Sequence, residues 1–308
     1  METDSQHPPS LELAEVVASA LRTHPALAGA EAQRDAAGAE LAEARSARLP
    51  TVSASALAVR YQEPMVVAPL HGFDLRNPPQ FDDLLYQGHA TAEYTLFDGG
   101  ARGARIRGSA ALAESAALGV AAARDAVLAE VTSAYLSALT ARDVLRAHDQ
   151  RVRALEEERA RARLFFEEGT APRVAVLRTE AALSRAEAAR SAADEALGLA
   201  RRRLARASGL EPARVEAASL RDVALPDTTV PSAPVLVARA LSANPALARA
   251  AGRVAAAEAR ASAARATFLP RVSLTGRYSA FGASGTDATG EWQAGLKLSY
   301  PLFSGGAR

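Results

Sequence analysis

The sequence predicts a protein of mixed α and β class that consists of two copies of one structural unit, the second of them incomplete. Two short motifs recur at one constant offset, and a third recurs at a slightly smaller offset. In each copy the spacing of apolar residues also changes from a helical period to a period of two. Because similarity at a nearly constant offset marks repeated structural units, the chain is expected to fold as two related halves.

The repeated motifs keep their order in both copies. The matching segments are 24–27 (HPAL) with 244–247 (NPAL), 49–53 (LPTVS) with 269–273 (LPRVS), and 94–102 (YTLFDGGAR) with 300–308 (YPLFSGGAR). In the first copy, a long helical pattern at 103–208 follows the third motif, and no counterpart follows Arg308. We therefore expect a second copy that is cut off, and a parent chain that is about a hundred residues longer.

Prolines and glycines divide the chain into elements. Pro25 and Pro245 can each open a helix in its first turn, and Pro50 and Pro270 end these helices. The expected first repeat is 1–210, with a helix at 11–48, strands at 51–61 and 89–97, and a helical hairpin at 100–208. A linker at 211–234 follows, and then the partial second repeat 235–308, with a helix at 235–267 and strands at 271–281 and 291–303.

The hairpin at 100–208 carries the pattern of a coiled coil. Its apolar residues recur at alternating three- and four-residue steps, which is the spacing of a packed helical seam. On the returning helix this seam consists of Leu183, Ala186, Ala193, Leu197, Ala200, Leu204 and Ala207. Because such alanine-rich helices depend on neighbours for stability, they are expected to pack against other helices.

The strands alternate between apolar and polar residues over about ten positions, with aromatic residues near their ends. This pattern is typical of a transmembrane β-barrel, although a soluble antiparallel hairpin with one buried face has the same alternation. The scarcity of any other apolar layer favours the barrel. Since open sheet edges do not occur in lipid, strands from several chains would have to close such a barrel, which requires an oligomer.

Composition excludes several classes of protein. The formal net charge is +1, with 36 basic and 35 acidic residues, so nothing in it indicates nucleic-acid binding. The chain has no cysteine, hence no disulfide, and no uninterrupted apolar run long enough to predict a transmembrane helix. Residues 1–6 lack the features of a secretory signal, which is typical either of a cytoplasmic protein or of a chain that has lost both termini; we expect the second.

The motifs of catalysis and cofactor binding are absent or incomplete. Gly100 and Gly103 follow a strand and open a helix, but the full glycine-rich phosphate motif is missing, so a nucleotide-binding enzyme remains a remote alternative. The histidines, His7, His24, His71, His89 and His148, have no metal-ligand spacing. We therefore predict no enzyme activity, catalytic residue, cofactor or metal.

The repeated motifs, in this order and doubled, resemble those of the TolC-like outer membrane efflux protein family. The similarity covers nearly the whole chain and includes Gly169-Thr170 followed by Val176-Leu177 and Glu180. It implies a homotrimer with a twelve-stranded barrel in outer-membrane lipid and a helical tunnel in the periplasm. It also implies a passive exit duct of a tripartite efflux pump or type I secretion system, with a periplasmic adaptor and an inner-membrane transporter as partners. The alternative is a soluble helical scaffold for protein interactions.

The resemblance also assigns expected roles to residues. Adaptor docking at the hairpin tip would involve Phe166, Gly169, Thr170, Pro172 and Leu177, for which a plain solvated turn is the alternative. The strand-to-helix junctions would use Gly99, Gly100, Gly305 and Gly306, and the barrel lumen would contain Arg60, Glu93, Arg271, Arg277 and Lys297. No gating carboxylate can be assigned, because the second hairpin that carries them in the family has no counterpart in the sequence.

Overall fold

The computed structural model describes residues 10–71, 76, 78–224, 229–285, 287–303 and 305. The fold is mixed α and β, as the sequence predicts. Its elements are β1 (Ser10–Leu11), α1 (Leu13–Thr23), α2 (Pro25–Ser46), β2 (Thr51–Val66), β3 (Phe81–Phe97), α3 (Ala101–Glu167), α4 (Arg173–Ser208), α5 (Pro212–Ala217), β4 (Ser219–Leu220), α6 (Ala233–Ala243), α7 (Pro245–Ala266), β5 (Arg271–Ala283) and β6 (Thr289–Ser299). In the described part of the chain, no helix is both long enough and apolar enough to cross a membrane.

The repeat is visible in the structure as three pairs of related elements. α1 and α6, α2 and α7, and β2 and β5 begin at positions related by the same offset as the first two motifs. The residue between the two consecutive helices forms the same kind of hydrogen bond in both copies. The His24 Nδ1 accepts a hydrogen bond from the Ala26 N–H (3.2 Å), and the Asn244 Oδ1 accepts one from the Ala246 N–H (2.8 Å). The helical regions predicted at 11–48 and 235–267 therefore each consist of two helices, and the second helix begins at Pro25 and Pro245, as the sequence indicates.

The long hairpin consists of α3, with 67 residues, and α4, with 36 residues. At 1.5 Å per residue α3 is about 100 Å long. The predicted seam of α4 is confirmed by burial of six of its seven residues, namely Leu183, Ala186, Ala193, Leu197, Leu204 and Ala207. An ion pair between the Arg190 Nε and the Asp149 Oδ1 (2.6 Å) also joins the two helices.

The chain divides into two compact units, and each contains parts of both repeats. Unit 1 comprises Met1–Arg34 and Ala117–Leu247, and unit 2 comprises Asp35–Ala116 and Ala248–Arg308. The compact units are therefore not the two sequence repeats, because related segments of both copies pack together.

Unit 1 has a buried core around Tyr135 of α3. The Tyr135 hydroxyl is a bifurcated donor, 2.8 Å from the Leu11 carbonyl oxygen and 2.7 Å from the Arg221 carbonyl oxygen. Burial raises the pKa of this hydroxyl, so it stays protonated as a donor. Because Leu11 belongs to β1 and Arg221 directly follows β4, the side chain ties together the parallel pair formed by these two short strands.

The first part of the segment 211–234, which was predicted to be a linker, belongs to this core. It forms α5 and β4, and it buries Val215, Ala218 and Leu220. The Leu220 carbonyl oxygen also accepts a hydrogen bond from the Arg142 Nη1 (2.6 Å). Prolines suggested a linker because they break regular structure, but Pro212 instead occupies the first turn of α5.

Unit 2 contains an antiparallel sheet with the strand order β2-β3-β5-β6. The central pair, β3 with β5, joins the two repeats. Three strands are longer than predicted: β2 extends to Val66, β3 begins at Phe81, and β5 extends to Ala283. β6 is instead shorter than the prediction of 291–303 and ends at Ser299, shortly before Pro301, which lacks the backbone N–H needed for strand pairing.

Candidate functional site

The register of the four-stranded sheet assigns each residue to one of two faces. Residues paired across neighbouring strands lie on the same face, and successive residues of one strand lie on opposite faces. Two continuous rows illustrate this: Val52, Ala92, Gly276 and Ala294 are paired in sequence across the sheet, and so are Ser53, Thr91, Arg277 and Gln293. In the rows from Arg271 to Ser279 the sheet thus has one apolar face and one polar face, as the alternation in the sequence indicates. Farther along the strands, the second face carries a small apolar cluster that includes Leu85, Phe281 and Ala283.

The apolar face is exposed, even though it carries large side chains. Its exposed residues are Val52, Tyr86, Tyr94, Leu274, Tyr278, Trp292, Leu296 and Leu298. Trp292 is 76% exposed and Leu296 is 71% exposed. Contiguous exposed apolar surface of this kind marks an interface with lipid or with another protein.

Hydrogen bonds between side chains connect the strands on the polar face. The Ser53 and Thr91 hydroxyls are 2.7 Å apart, and the His89 Nδ1 lies 3.0 Å from the Ser279 Oγ. A groove of about 510 Å³ on this face is lined by Thr51, Ser53, Thr91, Ala92, Glu93, Thr275, Gly276, Arg277, Gln293, Ala294, Gly295 and Lys297.

Four of the five residues predicted to line a lumen lie on the polar face. Arg271, Arg277 and Lys297 belong to β5 and β6, and Glu93 belongs to β3. All four are exposed. Within the described residues none of them forms an ion pair, so their charges are available to a solute.

The prediction for Arg60 is wrong with respect to its face. Arg60 is paired with Leu84, and the register places both residues on the apolar face. Its guanidinium instead binds the Asp83 carboxylate, with the Nη2 2.9 Å from the Oδ2. Arg60 is the last residue of β2 in the regular ladder, because the pairing of β2 with β3 becomes irregular between Arg60 and Met65. A long arginine side chain at this point can reach the carboxylate of a neighbouring residue.

The strand-to-helix junction after β3 depends on two glycines. Gly99 and Gly100 have φ angles of +66° and +88°, which L-residues rarely adopt. A Cβ atom on Gly99 would also lie 2.8 Å from the Leu269 Cδ1 and 2.9 Å from the Ala266 carbonyl oxygen, so no larger residue fits. Gly305, predicted to have the same role in the second copy, has a φ of +62°, and Gly306 lies outside the described residues.

Asp98 caps the helix that begins at this junction, although the sequence pattern does not single it out. Its Oδ1 accepts a hydrogen bond from the Gly100 N–H (3.1 Å), and its Oδ2 accepts one from the Arg102 N–H (2.9 Å). Burial acts to raise the pKa of this carboxyl, but the Arg102 N–H and guanidinium and the Gly100 N–H outweigh it, so the pKa is lowered. The carboxylate therefore occupies the amide groups that a phosphate-binding loop would offer, which argues against the nucleotide-binding alternative.

The hairpin tip joins α3 to α4 by a closed turn in unit 1. Gly169 has a φ of +74°, and the Thr170 hydroxyl and N–H each lie 2.9 Å from the Phe165 carbonyl oxygen, to which they donate. Pro172 is the N-cap residue of α4 and not its first helical residue. Phe166 and Leu177 project from the two helices with 42% and 52% of their surface exposed.

Three further apolar residues at the tip were not predicted as contact residues. These are Leu164, Phe165 and Val174, and each is about half exposed. Their apolar character close to the glycine turn could have identified them, since a hairpin tip that contacts only water rarely carries five large apolar side chains on its two helices. The tip thus presents a small apolar surface.

Comparisons with known proteins are consistent with this geometry. The sequence profile of the outer membrane efflux protein family matches residues 16–210 and 236–308, so the chain belongs to that family. No curated protein sequence matches the chain.

Solved structures share the fold. A membrane protein from Pseudomonas aeruginosa has a TM-score of 0.79 and 24% identity over 96% of this chain and 67% of that chain. The outer-membrane channel OprN has a TM-score of 0.76 and 23% identity, over 94% and 64% of the two chains, and the Campylobacter jejuni CmeC outer membrane channel has 0.79 and 18%, over 96% and 62%. The chain therefore spans about two thirds of the length of these structures.

Proposed function

We propose that this chain acts in a passive outer-membrane channel for export, in which three copies close one barrel and the helices form a conduit in the periplasm. The observation that carries the proposal is the sheet with an exposed apolar face and two free edges. Membership of the outer membrane efflux protein family supports it. The channel has no catalytic activity of its own.

The free edges explain why several copies are needed. β2 and β6 lie at the two edges of the described sheet, and each pairs with a neighbour on one side only. Unpaired backbone groups at such edges cannot remain in lipid, so they must pair with another strand. If β6 of one copy pairs with β2 of the next, three copies of a four-stranded sheet form a closed barrel of twelve strands.

The strand lengths fit a bilayer. A tilted transmembrane strand needs about 9–11 residues, and the shortest strand of the sheet, β6, has 11 residues. With the apolar face toward lipid, the polar face with Glu93, Arg277 and Lys297 lines the lumen. This orientation buries Trp292 and Leu296 in hydrocarbon and leaves the charged side chains in water.

The hairpin tip is the proposed docking site for a periplasmic adaptor. Its apolar side chains, including Phe166 and Leu177, are exposed on a turn held rigid by Gly169 and Thr170. A small rigid apolar surface at the end of a long hairpin suits a protein partner better than solvent. The adaptor would connect the channel to an inner-membrane transporter, as part of a tripartite efflux pump or a type I secretion system.

Two arginine substitutions on opposite faces of β6 test the membrane proposal. Leu296→Arg places a charge on the apolar face and is expected to cost about 2–4 kcal/mol of insertion free energy near the bilayer centre, whereas Gln293→Arg on the polar face is expected to be tolerated. The measurement is the yield of detergent-extracted, heat-sensitive trimer on native electrophoresis. A soluble scaffold would remain in the aqueous fraction without detergent and would tolerate Leu296→Arg, which would disprove the membrane proposal.

A separate experiment tests the tip. Phe166→Asp and Leu177→Asp should abolish complementation of a bacterial strain that lacks its efflux channel, while trimer formation persists. Glu156→Ala, an exposed position on the same α3 helix, is the control and should complement normally. Normal complementation by both tip variants would show that the turn is merely solvated.

A further inference from the structure

The charges on the polar face of the sheet are distributed unequally between the two repeats. We consider the rows of paired residues on this face that begin with Arg271 and end with Ser279. All the arginine and lysine residues in these rows come from β5 and β6, namely Arg271, Arg277 and Lys297. The paired positions of β2 and β3 contribute only serine, threonine, histidine and Glu93. The second repeat therefore supplies the positive charge of these rows, together with one carboxylate, Glu291, in the row of Ser279.

The positive charges lie in the half of the sheet that is next to α7. Arg271 is the first residue of β5, directly after Pro270, and Lys297 and Arg277 follow within the next three rows on the same face. The first four rows contain these three cations and one anion, Glu93, which gives a net charge of +2 per copy. Three copies would bring +6 to this half of a closed barrel.

These cations differ from Arg60 and Arg102, because no carboxylate of the described residues forms an ion pair with them. Arg60 is bound to Asp83, and Arg102 is bound to Asp98, at 2.9 Å and 3.0 Å. Arg277 and Lys297, in contrast, have no ion-pair partner among the described residues, and both line the groove of about 510 Å³ on the polar face. A guanidinium and an ammonium group without a carboxylate partner can bind a solute anion.

On the polar face, the row of paired residues that contains Glu93 lies between the row of Arg277 and the row of Lys297. Glu93 is paired with Thr275, one row from Arg277 on one side and one row from Lys297 on the other, and it faces the same groove. Its carboxylate lowers the local positive potential of this face, although among the described residues it forms an ion pair with neither cation. Neutralising it should therefore increase attraction for anions.

We propose that the half of the barrel lumen next to the periplasmic helices selects anionic solutes, and that Arg271, Arg277 and Lys297 provide this selection. The inference rests on the proposed function, because it requires the polar face to line a closed barrel. Rings of arginine and lysine side chains favour anions in pores by raising their local concentration. Solutes with a carboxylate or phosphate group are then the class exported most efficiently.

The test is the reversal potential of the full chain, reconstituted in a planar bilayer under a tenfold KCl gradient. The wild type is expected to prefer chloride over potassium by about two- to fivefold at low salt, with the preference declining toward 1 M salt as screening shortens the range of the charges to about 3 Å. The double variant R277Q/K297Q should bring the permeability ratio close to one, and E93Q should raise the preference for chloride.

Arg48→Gln is the matched control. Arg48 precedes β2 and lines a groove on the opposite, apolar side together with Leu49, Tyr94 and Leu274. Its substitution removes one positive charge from outside the lumen and should leave the reversal potential unchanged. A conducting channel without anion preference, or an equal shift in R48Q, overturns this inference while the proposed channel function stands. Absence of conductance in the wild type overturns both.

Discussion

The helices α1 and α6 occupy equivalent positions in the two repeats, and their surroundings differ. Both have 11 residues, and each is followed by a proline that opens the next helix. In α1, Val16, Ser19 and Ala20 are buried. In α6 no residue is buried, and Leu236, the counterpart of Val16, is 42% exposed.

The neighbours of the two helices account for this difference. α1 is covered by a core to which α3, α4, α5 and the two short strands contribute, with Tyr135, Leu204 and Val215 fully buried. Within the described residues, α6 borders a groove of about 540 Å³ with Ala122 and Asp125 of α3 on its other side. A helical period in the sequence therefore specifies which side of a helix is apolar, whereas the elements around it decide whether that side is buried.

The largest expected effect comes from the core that covers α1. Leu204→Ala should lower the free energy of unfolding by about 2–5 kcal/mol, because it leaves a cavity in a fully buried region. The measurement is urea unfolding of the detergent-solubilised chain followed by circular dichroism. Leu199→Ala, the same change at a 45% exposed position of the same helix, should cost less than about 1 kcal/mol. Equal losses would mean that unit 1 has no specific core.

A second prediction compares the equivalent helices directly. Val16→Ala should cost about 2 kcal/mol, since it removes two buried methyl groups from a closely packed site. Leu236→Ala at the matching position of α6 should cost less than about 1 kcal/mol despite removing a larger side chain. The same unfolding experiment measures both variants. If Leu236→Ala lowered the free energy of unfolding more than Val16→Ala does, burial would not determine the cost of these substitutions.

Tyr135→Phe tests the hydrogen bonds that attach β1 and β4 to α3. The substitution keeps the ring and removes the hydroxyl, so the Arg221 carbonyl oxygen loses its donor, and we expect a loss of about 1.5 kcal/mol. The Leu11 carbonyl oxygen still accepts a hydrogen bond from the Arg221 N–H (3.1 Å). Hydrogen exchange of the amides of β1 and β4 should increase in this variant, and unchanged exchange would show that the strands do not depend on Tyr135.

The smallest expected change in the free energy of unfolding comes from Asp98, which caps α3 at the junction after β3. Because the folded-state pKa of Asp98 is lowered, the ionised carboxylate contributes stability above its unfolded pKa of about 4, and this contribution is lost as the pH falls through the folded pKa. Asp98→Asn should therefore cost about 1 kcal/mol at pH 7 and little under strongly acidic conditions. Unfolding midpoints measured between pH 7 and pH 3 test this, and a variant that stays equally destabilised in acid would contradict it.

Much of the local structure was predictable because it depends on neighbouring residues in the sequence. The helix breaks at Pro25 and Pro245, the turn at Gly169 and the seam of α4 all follow from backbone preferences and apolar spacing. The alternation in β5 and β6 likewise predicted an apolar face and a polar face, and four of the five predicted lumen residues lie on the polar one.

Other features depended on contacts between distant segments. The first part of the predicted linker belongs to the core because β4 pairs with β1, which lies at the opposite end of the first repeat. Arg60 lies on the apolar face because its side follows from the register with β3, and a shift of one residue reverses every side chain of a strand. Such pairings are non-local, so the pattern of one segment cannot specify them.

The sequence by itself therefore determined the repeat, the helices other than α5, the turn glycines and the two-sided character of the strands, since each of these arises from local conformational preference and period. The tertiary structure alone decided the extent and register of the strands, the burial of α1 but not of α6, and the grouping of both repeats into each compact unit. These features arise from the free energy of packing segments that are far apart in the chain, which local preferences do not contain.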